Sequence, residues 1–391
     1  MKRIESCERN NVTVESFGGS GGLVTGSCHI YERGDNKIGI DYGKFQGKFE
    51  EISEKGRLRD LEYISEICRG TSDFFMTHAH IDHIGLFPLI AKYGFTPNVY
   101  TTRETFELSK IMLEDSVKIQ ESDKEKKPLY NRKDVNDILK RVKIIEAFEE
   151  IDIGSRHGKI TAILIPNGHM NGSVSVLIKD GVTKKNTLFT GDIGRPNQLT
   201  CGGYNEYSSK YPDCRIHTIL TESTCFEKDP VSFSEREINI FNAVTKTAQR
   251  GGVSVMPLIA GRLAPTMEIF HNDQECRGQF LDYHFYMDAP LPRKVLKVHQ
   301  DLGPDYMSNW YGDDPCFYKT KENSMSRFNI KNLTIVESHE QSKLLVEHLA
   351  YSSEKAIVFA SGGMVTRGRS VNYRSGKFNQ NPNNSFILTC F

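Results

Sequence analysis

At 391 residues the chain is long enough for two domains, each with its own core. Its 50 Lys and Arg balance its 50 Asp and Glu, so no global basic field exists to hold duplex nucleic acid, and any nucleic-acid contact must be a local groove. The sequence has no apolar run of membrane-spanning length, its charged start MKRIESCERNN lacks a following apolar region, and its 9 Cys form no C-x-x-C pair, which together predict a cytoplasmic protein with reduced thiols and no membrane partner.

In chain order, the segment from Val12 to Glu32 is glycine-rich, with Phe17-Gly18-Gly19-Ser20-Gly21-Gly22 followed by Thr25-Gly26-Ser27-Cys28. It lacks both G-x-G-x-x-G spacing and the Lys-Ser/Thr of a P-loop, which excludes a nucleotide site. Lys37 to Gly43 reads as a strand ending in Asp41-Tyr42-Gly43. Asp41 is placed either to hold a metal-ligating imidazole from behind or to cap a turn. Next comes DFFMTHAHIDHIGLFPLI, from Asp73 to Ile90. Its run Phe74-Phe75-Met76 reads as a buried strand, and Gly85, Phe87, Leu89 and Ile90 follow with helical spacing. Between them lies His78-Ala79-His80-Ile81-Asp82-His83, at the carboxyl end of a strand, where open α/β sheets place their sites. Imidazole and carboxylate are ligands for zinc, iron or manganese. His78 and His80 can point to one side of an extended segment, while Asp82 and His83 lie past the turn and can reach a second metal. Three of the chain's 12 His in six residues is hard to obtain by chance.

Asn98 to Tyr100 reads as a strand and Thr102 to Glu121 as a helix, and the charged stretch from Ser122 to Glu150 as solvated helix and loop. The strands KITAILIP, SVSVLIK and NTLFTGD follow. Asn167-Gly168-His169 sits between the first two and Gly191-Asp192 ends the third, so His169 and Asp192 are the best candidates to complete a mononuclear or binuclear site. A carboxylate has two oxygens, and Asp192 can bridge two metals. After Asp192 the composition shifts. Strands at 217–220, 253–259, 285–288 and 356–360 then alternate with helices at 234–250, 265–276, 293–301 and 341–350, the first opened by a Ser234–Glu237 capping box. Such alternation implies a mostly parallel sheet flanked by helices. The chain closes on the apolar strand NSFILTCF, which looks cut within a strand.

H-x-H-x-D-H followed by a single His and a single Asp at strand ends resembles the metallo-β-lactamase superfamily. Thr221-Glu222-Ser223-Thr224, Gly251-Gly252-Val253 to Gly261-Arg262, Asp288-Ala289-Pro290-Leu291 and Ala360-Ser361-Gly362-Gly363-Met364 are similar to motifs of its β-CASP branch, whose members process RNA and DNA. The resemblance covers nearly the whole chain. It implies an α/β fold in which a metallo-β-lactamase αββα sandwich (residues 1–208) carries an inserted β-CASP α/β domain (209–382), with 383–391 starting the strand that returns to the first domain. Position by position, it implies that His78, His80 and His169 hold one Zn2+, that Asp82 and His83 hold a second, that Asp192 bridges them and that Asp41 supports a ligand. Asp82 and Glu222 are the implied catalytic carboxylates. Arg262 either contacts a substrate phosphate or caps the helix that follows it. The two further histidines of the family pattern would lie beyond Phe391, and Asp288-Ala289 replaces the family's Asp-Ser.

The expected function is therefore zinc-dependent hydrolysis of phosphodiester bonds in single-stranded RNA, or DNA, in a cleft lined by Arg262, Arg367 and Arg369. Two metals can activate a shared water and neutralise charge on the transition state. The rival expectations are a non-catalytic or impaired scaffold in RNA processing, if the natural chain ends at Phe391, and a hydrolase of small esters or thioesters. The long second domain argues against a small substrate. The sequence leaves open endonuclease against exonuclease action and the oligomeric state, a homodimer included.

Overall fold

A computed structural model describes residues 12–19, 25–47, 61–153, 158–194, 211, 213–224, 232–311 and 329–388. They fall into two compact units that divide between Thr224 and Cys225.

In the first unit, six strands form one sheet in chain order: β1 (Val12–Gly18), β2 (Cys28–Arg33), β3 (Asn36–Ile40), β4 (Thr71–Phe75), β5 (Asn98–Thr101) and β6 (Val142–Ile144). β1, β2 and β3 are antiparallel neighbours. From β3 to β6 the pairing is parallel, and parallel pairs need crossovers. The helices α1 (Leu61–Cys68), α2 (Ile81–Ile84), α3 (Phe87–Lys92), α4 (Arg103–Ser122) and α5 (Arg132–Leu139) lie in those crossovers. Thr102 caps α4 by accepting from the Thr105 amide. The second sheet has the order β11-β10-β9-β8-β7, from β7 (Glu150–Asp152), β8 (Ile160–Pro166), β9 (Val174–Asp180), β10 (Asn186–Phe189) and β11 (Thr218–Leu220). β8 is buried along its whole length, which accounts for its apolar run from Ala162 to Pro166. The two sheets face each other. Arg33 Nε of β2 lies 3.0 Å from Asp180 Oδ2 at the end of β9, with both side chains almost inaccessible. Losing one partner would strand a buried charge, at about 3–5 kcal/mol.

The second unit is one parallel sheet, order β14-β13-β15-β12-β16, from β12 (Ser254–Leu258), β13 (His284–Asp288), β14 (Leu333–Ile335), β15 (Ala356–Ser361) and β16 (Ser385–Phe386). The helices α6 (Phe233–Gln249), α7 (Leu263–Cys276), α8 (Pro290–Tyr311), α9 (His339–Ala350), α10 (Ser370–Arg374) and α11 (Lys377–Gln380) accompany it. Val255 and Val358 pack with Leu349, Tyr373 and Phe378 in its core.

Several boundaries differ from the sequence expectation. Residues 217–220 were expected to open the second domain, but β11 pairs in parallel with β10, so the first unit runs past residue 208 to Thr224. The return strand expected at 383–391 instead pairs through Ser385 and Phe386 with β12 inside the second unit, and residues 389–391 lie outside the described residues. α6 is capped two residues earlier than the expected Ser234, because the Ser232 side chain accepts from the Glu235 amide. The charged stretch from 122 to 150 is not only solvated helix and loop. An Asn131–Asp134 capping box starts α5, Val135 and Ile138 are buried, and β6 adds an edge to the first sheet.

Candidate metal centre

After β4 the chain leaves the sheet at Met76, and His78, His80 and His83 follow within six residues. His78 is fully buried, and His80 occupies the extended position before α2. His78 Nε2 and His169 Nε2 each lie 3.1 Å from His80 Nδ1. Asp192 Oδ2 is 3.8 Å from His78 Nε2 and 3.5 Å from His169 Nε2. One donor atom from each of these four residues lies within 4.8 Å of all the others. Two nitrogens bound tetrahedrally at about 2.0–2.1 Å to one ion are about 3.3 Å apart, so the imidazole spacings fit a small divalent metal. The donor chemistry fits as well. Thr77 Oγ1 donates to Asp41 Oδ2 at 2.8 Å and so accepts from His78 Nδ1 at 3.0 Å. That contact assigns the His78 proton to Nδ1 and leaves a lone pair on Nε2, facing the other donors.

His83 is held by a carboxylate. Its Nδ1 donates to Asp41 Oδ2 at 2.7 Å, and its Nε2 lies 3.2 Å from Asp192 Oδ1. Asp41 also accepts from the Thr77 amide through Oδ1 at 2.8 Å. It adopts a left-handed backbone (φ 60°), a conformation that a short polar residue tolerates and that concentrates at functional sites. Gly43, two residues on, crosses so close to the α2 turn that a Cβ there would lie 1.6 Å from the Asp82 carbonyl oxygen. Five backbone hydrogen bonds join the crossing segments, from the amides of Tyr42 to His83, Gly43 to Ser27, Ser27 to Asp82, Lys44 to Ile81 and Leu86 to Tyr42.

The loop carrying His169 is fixed by Asn167. Asn167 Oδ1 accepts from the His169 amide at 3.2 Å and from Ser173 Oγ at 2.6 Å, and its Nδ2 donates to the Thr190 carbonyl at 2.9 Å. The Asn167 carbonyl accepts from the Gly194 amide. One buried side chain therefore ties the loop of His169 to the loop of Asp192. Gly194 is required there, since a Cβ would fall 1.6 Å from the Gly168 carbonyl oxygen. Glu222, just past β11, accepts from the Ile193 amide at 2.9 Å and from the Thr224 amide at 3.1 Å, so it braces the backbone beside Asp192.

Charge differs across the centre. Burial and the neighbouring His83, His169 and His80 push His78 well below its ordinary value. Burial also disfavours the charged form of His83, but Asp41 and Asp192 outweigh it and hold that imidazole well above its ordinary value. Burial opposes ionisation of Asp192, and the hydrogen bond and charge of His83, with His169 and His80, hold it below the usual carboxylate range.

The structure thus brings His78, His80, His169 and Asp192 together, joins His83 to Asp192, and sets Asp41 behind His83 and Thr77. Asp82 lies in the first turn of α2. Arg262 lies in the second unit, at the end of the 3-10 turn Ala260–Arg262. It precedes α7 without a side-chain capping bond, and its carbonyl accepts from Thr266 Oγ1. Arg367 is exposed. Arg369, expected to line a cleft, is clasped instead: its Nη1 lies 3.3 Å from the buried Asp288 Oδ1 and donates to the Ser338 carbonyl at 2.6 Å. Sequence reasoning did not single out Thr77 or Asn167, whose roles depend on partners distant in sequence. It also passed over His29, which lines a cavity of about 700 Å³ with Asp41, His83, Asp192 and Glu222. Ser20 to Gly22 of the glycine-rich loop lie outside the described residues. No helix among the described residues is long and apolar enough to cross a membrane.

Residues 75–218 match the family model of the metallo-beta-lactamase superfamily, and residues 267–391 match that of the Beta-Casp domain. The chain is 27% identical over 376 residues to Probable RNase MJ4 of Methanocaldococcus jannaschii, covering 95% of this chain and 78% of that relative. It is 25% identical over 355 residues to Ribonuclease TTHA0252 of Thermus thermophilus, covering 90% of this chain and 73% of that one. It is 27% identical over 321 residues to Transcription termination factor FttA of Pyrococcus abyssi, covering 81% of this chain and 46% of that relative.

Proposed function

The chain belongs to the Beta-Casp branch of the metallo-β-lactamase superfamily, and from that premise we propose that it hydrolyses phosphodiester bonds of single-stranded RNA at a binuclear zinc site. The observation that carries this reading is the convergence of three imidazole nitrogens and a carboxylate oxygen within 4.8 Å of one another. Relatives that align over most of this chain bear ribonuclease names, which supports RNA as the substrate. The nitrogen-rich donor set favours zinc over magnesium or calcium, which prefer oxygen ligands.

In this reading His78, His80 and His169 would hold one zinc, His83 and Asp82 would hold the other, and Asp192 would serve both. Bound there, divalent metals would supply Lewis acidity that lowers the pKa of water and offsets negative charge on a phosphate. The chain's own residues do the rest. Thr77 and Asp41 engage Nδ1 of His78 and His83, so that Nε2 is the nitrogen each ring turns toward a metal, as a lone pair on His78 and after loss of its proton on His83. Asn167 keeps the His169 and Asp192 loops in register. Glu222 holds the backbone beside Asp192 through the Ile193 amide, and we assign it with Asp82 to the catalytic carboxylates. Arg262 is proposed to contact a substrate phosphate.

The test is cleavage of a single-stranded RNA oligonucleotide by Asp82→Ala and His83→Ala variants. Both are expected to lose cleavage. Undiminished cleavage by either variant would remove the second zinc from the account.

A further inference from the structure

The cavity next to the metal ligands has a wall unlike a phosphate site. Among the described residues that line it there is no Lys or Arg. Its carboxylates already have partners: Asp41 accepts from Thr77 and His83, Glu222 from two backbone amides, and Asp192 faces the histidines. The remaining polar lining includes the hydroxyls of Ser16, Ser27, Thr221 and Ser223 and the imidazole of His29. An anion not held by metal is disfavoured there, whereas an uncharged hydroxylated group is well matched.

The hydroxyls and the imidazole form a chain. Ser16 of β1 stands opposite His29 of β2 in the ladder, and Ser16 Oγ lies 2.7 Å from His29 Nδ1. Ser27 Oγ lies 3.3 Å from His29 Nε2. On its other side His29 pairs in register with Ile40, the residue before Asp41, and its ring lies 6.2 Å from that of Phe189, just upstream of Thr190-Gly191-Asp192. His29 therefore sits between the two arms that carry Asp41 and Asp192. Burial lowers His29 to about 4, so near neutral pH the ring is uncharged, with one donor and one acceptor. In one tautomer Nε2–H donates to Ser27 and leaves the Ser27 hydroxyl proton for a ligand. In the other, Ser27 donates to Nε2 and offers a lone pair. The chain can thus give or take one hydrogen bond at its Ser27 end, which is what a ligand hydroxyl needs.

We propose that this cavity is a ribose subsite, in which the Ser16–His29–Ser27 chain recognises the 2′-hydroxyl of a nucleotide adjoining the scissile phosphate. The inference rests on the RNA-hydrolase reading and goes beyond it, since it identifies residues that distinguish RNA from DNA. The 2′-hydroxyl, both donor and acceptor, is the group that separates the two substrates.

The experiment is a deoxy walk on the metal-loaded full chain. Short single-stranded RNAs each carry hydrogen in place of one 2′-hydroxyl. Their binding is read by fluorescence anisotropy and their cleavage is followed in parallel. One position is expected to weaken binding by about tenfold in the unaltered protein, the worth of one well-placed hydrogen bond. That penalty is expected to shrink to less than about twofold in Ser27→Ala and in His29→Phe. Ser27→Ala removes a single oxygen and keeps the test usable if the larger ring change disturbs folding. A flat walk in the unaltered protein, or a penalty that survives Ser27→Ala, overturns the subsite. Cleavage with a flat walk removes the subsite and leaves RNA hydrolysis standing. A position-specific binding penalty without cleavage does the reverse, and no RNA binding at all overturns both.

Discussion

The His78–His80–His169 corner of the centre and its His83–Asp192 corner are built from the same loops but held by different forces. At the first corner three imidazole nitrogens already lie at ligand spacing, and a neutral hydroxyl, Thr77, backs His78. At the second, one imidazole is fixed between two carboxylates, Asp41 and Asp192. Burial and neighbouring histidines keep His78 in its neutral, metal-ready form, whereas Asp41 and Asp192 outweigh burial to favour the charged form of His83. The first corner is organised by backbone geometry and the second by charge, so a metal at the second must displace a proton that the protein itself stabilises.

The largest effect tests the first corner. His78→Ala or His169→Ala is expected to lower RNA cleavage by more than about 10³-fold and to remove metal measured by elemental mass spectrometry. Retained metal in His169→Ala would show that the geometric corner is not the principal site. Next, Asp41→Asn keeps the shape of the Asp41 side chain and removes its charge. It is expected to weaken metal binding at the second corner by about 10–100-fold in chelator competition, with a smaller change at the first. Equal weakening at both corners would mean that Asp41 acts mainly through Thr77 and would erase the distinction.

The pH dependence sharpens the same contrast. His83 is raised above its ordinary value near 6.5, so in the metal-free chain its contribution to stability is complete below that value and is lost as pH rises through its folded value. His78 is lowered, so keeping it neutral costs stability as pH falls below about 6.5. Nitrogen NMR of the metal-free protein near pH 7 should find His83 doubly protonated and His78 neutral. Metal binding at the second corner should then lose about tenfold per pH unit on acidification while the first corner changes less. The smallest effect is expected from Asn167→Ala, which leaves the His169 amide without its side-chain partner and the Thr190 carbonyl with Ser175 Oγ as its remaining side-chain donor. A cost of about 1–2 kcal/mol should lower the melting temperature by a few degrees and loosen the first corner without altering the protonation of His83.

The candidate donors were legible because they are local. His78, His80, Asp82 and His83 sit in one short window after an apolar strand, and His169 and Asp192 each follow a strand with glycine beside them. The alternation of strands and helices in the second half likewise predicted the parallel sheet that β12 to β16 form. Other features depend on contacts that no short window carries. Thr77 matters through Asp41, and Asn167 through Thr190. His29 reads as one polar residue in a strand until Ser16 and Ser27 are seen on either side of its ring. The first unit runs on to Thr224 because β11 joins β10, a pairing that a three-residue, largely exposed strand does not announce. Arg369 looked like a free cation of the loop after β15, and buried Asp288 claims it.

The most direct test of the central claim follows cleavage of a single-stranded RNA by the full chain through removal and return of metal. The account predicts that a chelator abolishes cleavage, that zinc restores it, and that His169→Ala stays inactive after the same zinc addition while remaining folded. Cleavage that survives complete metal removal, or that zinc restores equally in His169→Ala, would contradict it.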